Sequence, residues 1–197
     1  MKRAFLFHGA YGNPDENWFP WLKADLEKQG YLVVAPRLPT PEGQTLSNWL
    51  AAFKAQYRLE GEDTLIGHSI GAAFALRLIE RAKKPVRACY LVSGFASRLG
   101  KAEFDGLNRT FIEKGFDYEK IRANCPLISI FHSDNDPYVP LLKAEELAFG
   151  LKTRLTVVPG AGHFNEKSGY LRFPLLSRKI RSDGARKHNG FKTKPIK

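Results

Sequence analysis

Cysteine is nearly absent from this chain. Its 197 residues hold only Cys89 and Cys125, too few for a disulfide framework and suited to a reducing compartment. Neither stands in a Cys-x-x-Cys or other metal-type spacing. Cys89 lies in an apolar run and Cys125 precedes Pro126, so both read as packing residues. Long hydrophobic runs are missing too: none approaches the roughly 18–20 apolar residues a membrane-spanning helix needs. The start, Met1-Lys2-Arg3-Ala4-Phe5-Leu6-Phe7, has too short an apolar core for a signal peptide and no small-residue cleavage site behind it. It reads as a first strand, and the cytoplasm is the expected location. No internal repeat or low-complexity linker breaks the chain, which at this length argues for one domain.

Acidic residues are outnumbered. Lys and Arg total 31 against 20 Asp and Glu, a net charge of +11. A balance of that sign invites a nucleic-acid partner, but its distribution argues against one. Residues 178–197 carry eight Lys/Arg and one Asp. The excess therefore gathers in a terminal stretch poor in apolar residues, which reads as solvated. The expected organisation is a domain over residues 1–180 and a loosely ordered basic tail over 181–197.

What the chain does have is 43% hydrophobic residues, enough for a full core, arranged in six short runs. These are Arg3–Phe7, Tyr31–Ala35, Thr64–Ile66, Ala88–Val92, Leu127–Phe131 and Leu155–Val158. They are near-continuous rather than alternating, as in parallel strands covered on both faces. Helical spacing predicts helices over 15–29, 45–58, 70–83, 140–149 and about 170–180. Alternating strands and helices imply right-handed crossovers and an α/β fold with a mostly parallel sheet of about six strands. Ligands of such sheets sit beyond the C-terminal strand ends. The long connection 93–126, with Phe95, Phe104, Phe111 and Phe116, could roof a site there.

At the end of the third run stands Gly67-His68-Ser69-Ile70-Gly71, followed by a helix-forming stretch. This is the strand–turn–helix setting of a Gly-x-Ser-x-Gly nucleophile turn. Ser69 would sit at a helix N-terminus, where free N–H groups favour an oxyanion. A serine hydroxyl needs a base. Of the five histidines, His68 lies inside the turn and is expected to point away from the serine. His8 belongs to the first strand end, His132 ends the fifth strand and His188 is in the tail. His163, in Gly160-Ala161-Gly162-His163-Phe164 after the last strand, is placed to reach over the sheet edge. The base needs a carboxylate partner, and Ser133-Asp134-Asn135-Asp136-Pro137 after the fifth strand offers two. Asp136 is held extended by the proline behind it; Asp134 competes, or caps the turn through its own backbone. The chain order Ser, Asp, His is that of α/β-hydrolases. The second oxyanion donor should come from Phe7-His8-Gly9-Ala10-Tyr11-Gly12. The N–H groups of Ile70 and Ala10 are the expected pair, with Tyr11 the alternative to Ala10. His8 and Tyr11 are candidate substrate contacts.

On these residues, and on Ser133-Asp134-Asn135-Asp136-Pro137-Tyr138-Val139-Pro140 and Gly160-Ala161-Gly162-His163-Phe164-Asn165, the chain resembles a family of compact serine hydrolases of the α/β-hydrolase superfamily. The family includes YdeN-type proteins and the retinoblastoma-binding serine hydrolases. The resemblance covers roughly residues 3–180. It implies an α/β-hydrolase with little or no lid, a triad of Ser69, Asp136 and His163, and no metal or organic cofactor. The animal members are associated with a Leu-x-Cys-x-Glu partner motif. Here Cys89 is followed by Tyr90-Leu91 and Cys125 by Pro126-Leu127, so that partner is not carried over. The expected activity is carboxyl-ester hydrolysis on a small acyl substrate through an acyl-enzyme. The alternative is a non-catalytic scaffold using the basic tail or the cleft.

Overall fold

The computed structural model describes residues 2–185; His188 and the expected tail from residue 186 onward lie outside the described residues. The elements, in order, are β1 (Lys2–Phe7), α1 (Phe19–Lys28), β2 (Tyr31–Val34), α2 (Leu46–Gln56), β3 (Asp63–His68), α3 (Ile70–Glu80), β4 (Ala88–Val92), α4 (Ala102–Ile112), α5 (Tyr118–Asn124), β5 (Ile128–Ser133), α6 (Leu141–Leu151), β6 (Leu155–Val158) and α7 (Pro174–Ala185). The six strands form one sheet in the order β2-β1-β3-β4-β5-β6, every neighbouring pair parallel.

Successive strand residues face opposite sides of a sheet, and here both sides are covered. Phe5, Phe7, Leu65, Leu91 and Ile130 pack with Trp49, Phe53, Phe74, Phe111, Ile121 and Leu147 of α2 to α6. Ala4, Leu6, Ile66, Tyr90 and Phe131 pack on the other side with Phe19, Leu22, Leu176 and Ile180 of α1 and α7. The first core is aromatic at its centre: Trp49, Phe74 and Phe111 meet edge to face, with centroids 5.2 Å and 4.9 Å from the Trp49 ring. Such pairs contribute about 0.5–1.5 kcal/mol beyond the area they bury.

Helix ends depart from the expected ones, and prolines explain the starts of the first and last helices. The first helix begins at Phe19 rather than 15, because Pro20 is tolerated only in a helix's first turn. α3 stops at Glu80 rather than 83; the Arg81 and Ala82 N–H groups turn instead to the Leu78 and Ile79 carbonyls, three residues back, at 3.2 and 3.0 Å. The last helix starts at Pro174 and runs on to Ala185. The boundary expected at 180 thus falls inside a helix. The cause is Asp183, buried at 2% exposure, whose carboxylate accepts from Tyr90 Oη at 3.0 Å and from Lys179 Nζ at 2.8 Å. The connection 93–126 contains α4 and α5.

β2 and β3 leave β1 on opposite sides. The switch in strand order therefore falls between β1 and β3, and a crevice opens there at the C-terminal strand ends. The loops after β1 and β3 meet at it: a Cβ on Gly9 would lie 3.0 Å from Ser69 Cβ.

Candidate active site

Ser69 sits at the tip of the β3–α3 turn with φ 56° and ψ −125°, a conformation costly for a residue with a Cβ. Two neighbours must be glycine for the turn to close. A Cβ on Gly67 would lie 2.4 Å from the Gly71 carbonyl oxygen, and one on Gly71 would lie 2.2 Å from that of Phe7. Both contacts are with backbone and neither can give way. The turn is held open-mouthed by the Ser69 N–H, which donates to the Val92 carbonyl at 2.9 Å. Ile70 is the first residue of α3, so its N–H has no partner within the helix. On the β1 side the Tyr11 N–H donates to Thr40 Oγ1 at 2.8 Å and is thereby committed; the Ala10 N–H makes no hydrogen bond among the described residues.

The loops after β5 and β6 are stitched together residue by residue. Asp134 Oδ1 accepts from the Gly160 N–H at 2.8 Å, Ser133 Oγ from the Ala161 N–H at 2.9 Å, and Asn135 Oδ1 from the Gly162 N–H at 2.8 Å. The next residue on each side completes the row, with His163 Nδ1 2.8 Å from Asp136 Oδ2. The other oxygen, Asp136 Oδ1, accepts from the Tyr138 and Val139 N–H groups at 2.9 and 3.0 Å. The Asp136 side chain is fully buried, at 0% exposure. Burial pushes its carboxyl up, but the hydrogen bond and charge of His163 and the two backbone donors outweigh this and hold it below the usual range. Of the two competing aspartates, the structure thus brings Asp136 to His163 and gives Asp134 a backbone partner in the same loop.

Ser69 and His163 line one pocket of about 710 Å³. A hydrogen bond between their side chains is not among those the described residues make; such contacts commonly tighten only around a substrate.

The profile of the serine hydrolase family matches residues 4–182. The chain belongs to the serine hydrolase family. Among its relatives, YdeN of Bacillus subtilis is 29% identical over 178 residues, covering 89% of this chain and 92% of that protein. Serine hydrolase RBBP9 of Rattus norvegicus is 32% identical over 148 residues, 75% of this chain and 77% of RBBP9. The crystal structure of the B. subtilis ydeN product superposes with a TM-score of 0.87 at 28% identity, over 94% of this chain and all of that one (100%). Est1E of Butyrivibrio proteoclasticus shares the fold, with a TM-score of 0.70 at 15% identity over 94% of this chain and 89% of Est1E.

Two histidines of this serine hydrolase take places the sequence reading did not give them. His8 was a candidate substrate contact, yet it is buried at 1% exposure and both ring nitrogens are engaged. Nδ1 donates to the Gly9 carbonyl at 2.9 Å and Nε2 accepts from the Leu38 N–H at 3.0 Å. It braces the loop after β1 and does not line the pocket. Tyr11 does line it. His68, expected to point away from the serine, is a pocket wall. Its Nε2 donates to the His163 carbonyl at 2.8 Å, and the two rings lie 4.8 Å apart. Burial, aided by the nearby His163, lowers its pKa to about 3, so this tether is neutral. Tyr138 also packs edge to face with His163, ring centroids 5.0 Å apart. No signal in the sequence marked the tether, because the direction of His68 follows from the strained turn beside it. No helix among the described residues is long and apolar enough to cross a membrane.

Proposed function

We propose that this serine hydrolase is a carboxylesterase working through a Ser69–His163–Asp136 triad on small acyl esters. The carrying observation is the meeting of two devices at one pocket: a serine at φ 56° on a helix N-terminus, and a histidine bonded at 2.8 Å to a buried carboxylate. Ser69 Oγ attacks the ester carbonyl as His163 Nε2 takes its proton. The tetrahedral oxyanion is met by the N–H groups of Ile70 and Ala10. Engagement of the Tyr11 N–H by Thr40 favours Ala10 over Tyr11. The bond to the leaving alcohol breaks as His163 returns the proton to its oxygen. Water then repeats the sequence on the acyl-enzyme, releasing the acid and restoring Ser69. Asp136 holds the Nδ1–H tautomer and stabilises the imidazolium. No metal or organic cofactor enters these steps.

Intact-mass analysis after a fluorophosphonate probe tests the reading. One adduct on the natural chain, none on Ser69→Ala, and hydrolysis of short p-nitrophenyl esters by the natural chain alone are expected. A folded protein that takes no adduct and turns over no ester would instead be a scaffold on a hydrolase fold.

A further inference from the structure

α4 carries an asparagine on its buried face. Asn108 lies in the same buried set as Phe111 and Ile112 and is 3% exposed, yet it also lines the pocket that holds Ser69. Asparagine is a weak helix former, and a buried carboxamide is costly unless its groups are bonded. Only half of this one is. Gln44 Nε2 donates to Asn108 Oδ1 at 2.8 Å. Asn108 Nδ2 has no partner among the described residues. It is not sealed off either, because among the described residues the buried side-chain atoms left without partners are Ser93 Oγ and His132 Nδ1. The open space beside Asn108 is the pocket.

Amide oxygen and nitrogen are told apart by their neighbours, and here the backbone decides at both ends of the chain of contacts. The Tyr11 N–H can only donate, so Thr40 Oγ1 accepts it. That leaves the Thr40 hydroxyl proton free, and it is donated to Gln44 Oε1. The Leu107 carbonyl can only accept, so the Gln44 group 3.4 Å from it is the NH2, which also donates to Asn108. The Asn108 atom facing Gln44 is oxygen. What remains for the pocket is a donor.

We infer that Asn108 Nδ2 is a substrate-recognition donor, and that the acyl substrates carry a hydrogen-bond-accepting oxygen along an otherwise apolar arm. The apolar part is met by Phe95 and Leu99, which line the same pocket. The arm is the acyl one. A leaving group has to lie where His163 protonates it, beside Tyr138, whereas Asn108 is tied through Gln44 and Thr40 to the loop that offers the Ala10 N–H. Recognition of the acyl oxygen and the geometry of the oxyanion site are thus connected by three hydrogen bonds. This inference rests on the acyl-hydrolase reading of Ser69.

The test compares p-nitrophenyl alkanoates with their 5-oxo, 6-oxo and 7-oxo counterparts of equal chain length. Each kcat/KM is divided by the ester's rate with hydroxide. The natural chain should favour at least one oxo ester by about tenfold, the size of one hydrogen bond. In Asn108→Leu, which removes the amide, and in Asn108→Asp, which keeps the acceptor for Gln44 but replaces the donor, that ratio should fall to near one, whatever the absolute rates. Alkanoate turnover with no oxo preference at any chain length, or a preference that survives in both variants, overturns the inference alone. No turnover of either series, with Ser69 unlabelled by fluorophosphonate, overturns the hydrolase reading and this inference with it.

Discussion

Replacing Asp136 by asparagine should nearly abolish turnover while leaving the fold intact, and the hydrogen-bond pattern says why. Two backbone donors, Tyr138 N–H and Val139 N–H, rest on Oδ1, while Oδ2 faces His163 Nδ1. A carboxamide has one acceptor end. Turned the wrong way it would set its NH2 against two N–H groups in a side-chain site with no exposure. Each buried donor left unpaired costs about 1–3 kcal/mol, so the amide oxygen stays on the backbone pair and the NH2 is aimed at His163. Nδ1 must then accept, and the imidazole proton moves to Nε2, where it cannot receive one from Ser69. A loss of about 10⁴ in kcat follows from the wrong tautomer alone. The assay is kcat/KM on a short p-nitrophenyl ester, with circular dichroism and a melting curve to establish folding. Asp134→Asn is the control: Asp134 Oδ1 accepts from the Gly160 N–H at 2.8 Å and, at 3.5 Å, from Ser133 Oγ, an amide oxygen can do the same, and activity should stay within about threefold. Asp136→Asn within tenfold of the natural chain, or Asp134→Asn equally damaged, would refute the reasoning.

Gly71→Ala would drive a Cβ to 2.2 Å from the Phe7 carbonyl oxygen and 2.5 Å from that of His8; a loss of about 3 kcal/mol or more is expected, read as a lowered melting temperature or insoluble expression. Ser133→Ala removes the acceptor of the Ala161 N–H, which should cost about 1–3 kcal/mol by urea unfolding and lower kcat more than it raises KM. The depressed pKa of His68, about 3 against an ordinary 6.5, means that between those values the unfolded chain binds a proton the folded one refuses. Stability should therefore rise with pH across that window and be lost as pH falls through it. His68→Gln, which keeps an N–H for the His163 carbonyl, should shrink the gap between urea midpoints at pH 7 and pH 5; an unchanged gap would contradict the assignment.

The sheet was legible because its strands are continuous apolar runs; two of them, Ala88–Val92 and Leu155–Val158, have the bounds read from the sequence. The serine turn was legible because glycines flank it, and the expectation that Ser69, His163 and Asp136 meet rested on loops at one end of a parallel sheet, with Pro137 and then the family resemblance favouring Asp136. Helix starts were misread where Pro20 and Pro174 were given less weight than apolar spacing. The stitching of 133–136 to 160–163 was not legible, because three of its four donors are backbone N–H groups, which carry no residue identity. Asn108 passed unnoticed for a similar reason. One polar residue in a helix signifies little until the pocket and Gln44 are seen on either side of it.

β6 is an edge strand, paired with β5 alone in the sheet, and none of its four residues is buried. The loop bearing His163 hangs from this strand, whereas Ser69 stands on the central β3. The proposed base and nucleophile therefore belong to parts of the molecule with very different resistance to opening. A fluctuation that frees the edge would part His163 from Asp136 while the middle of the sheet stays whole. Catalysis on this scaffold is then a gauge of its weakest margin, and in rising denaturant it would fade before the global transition begins.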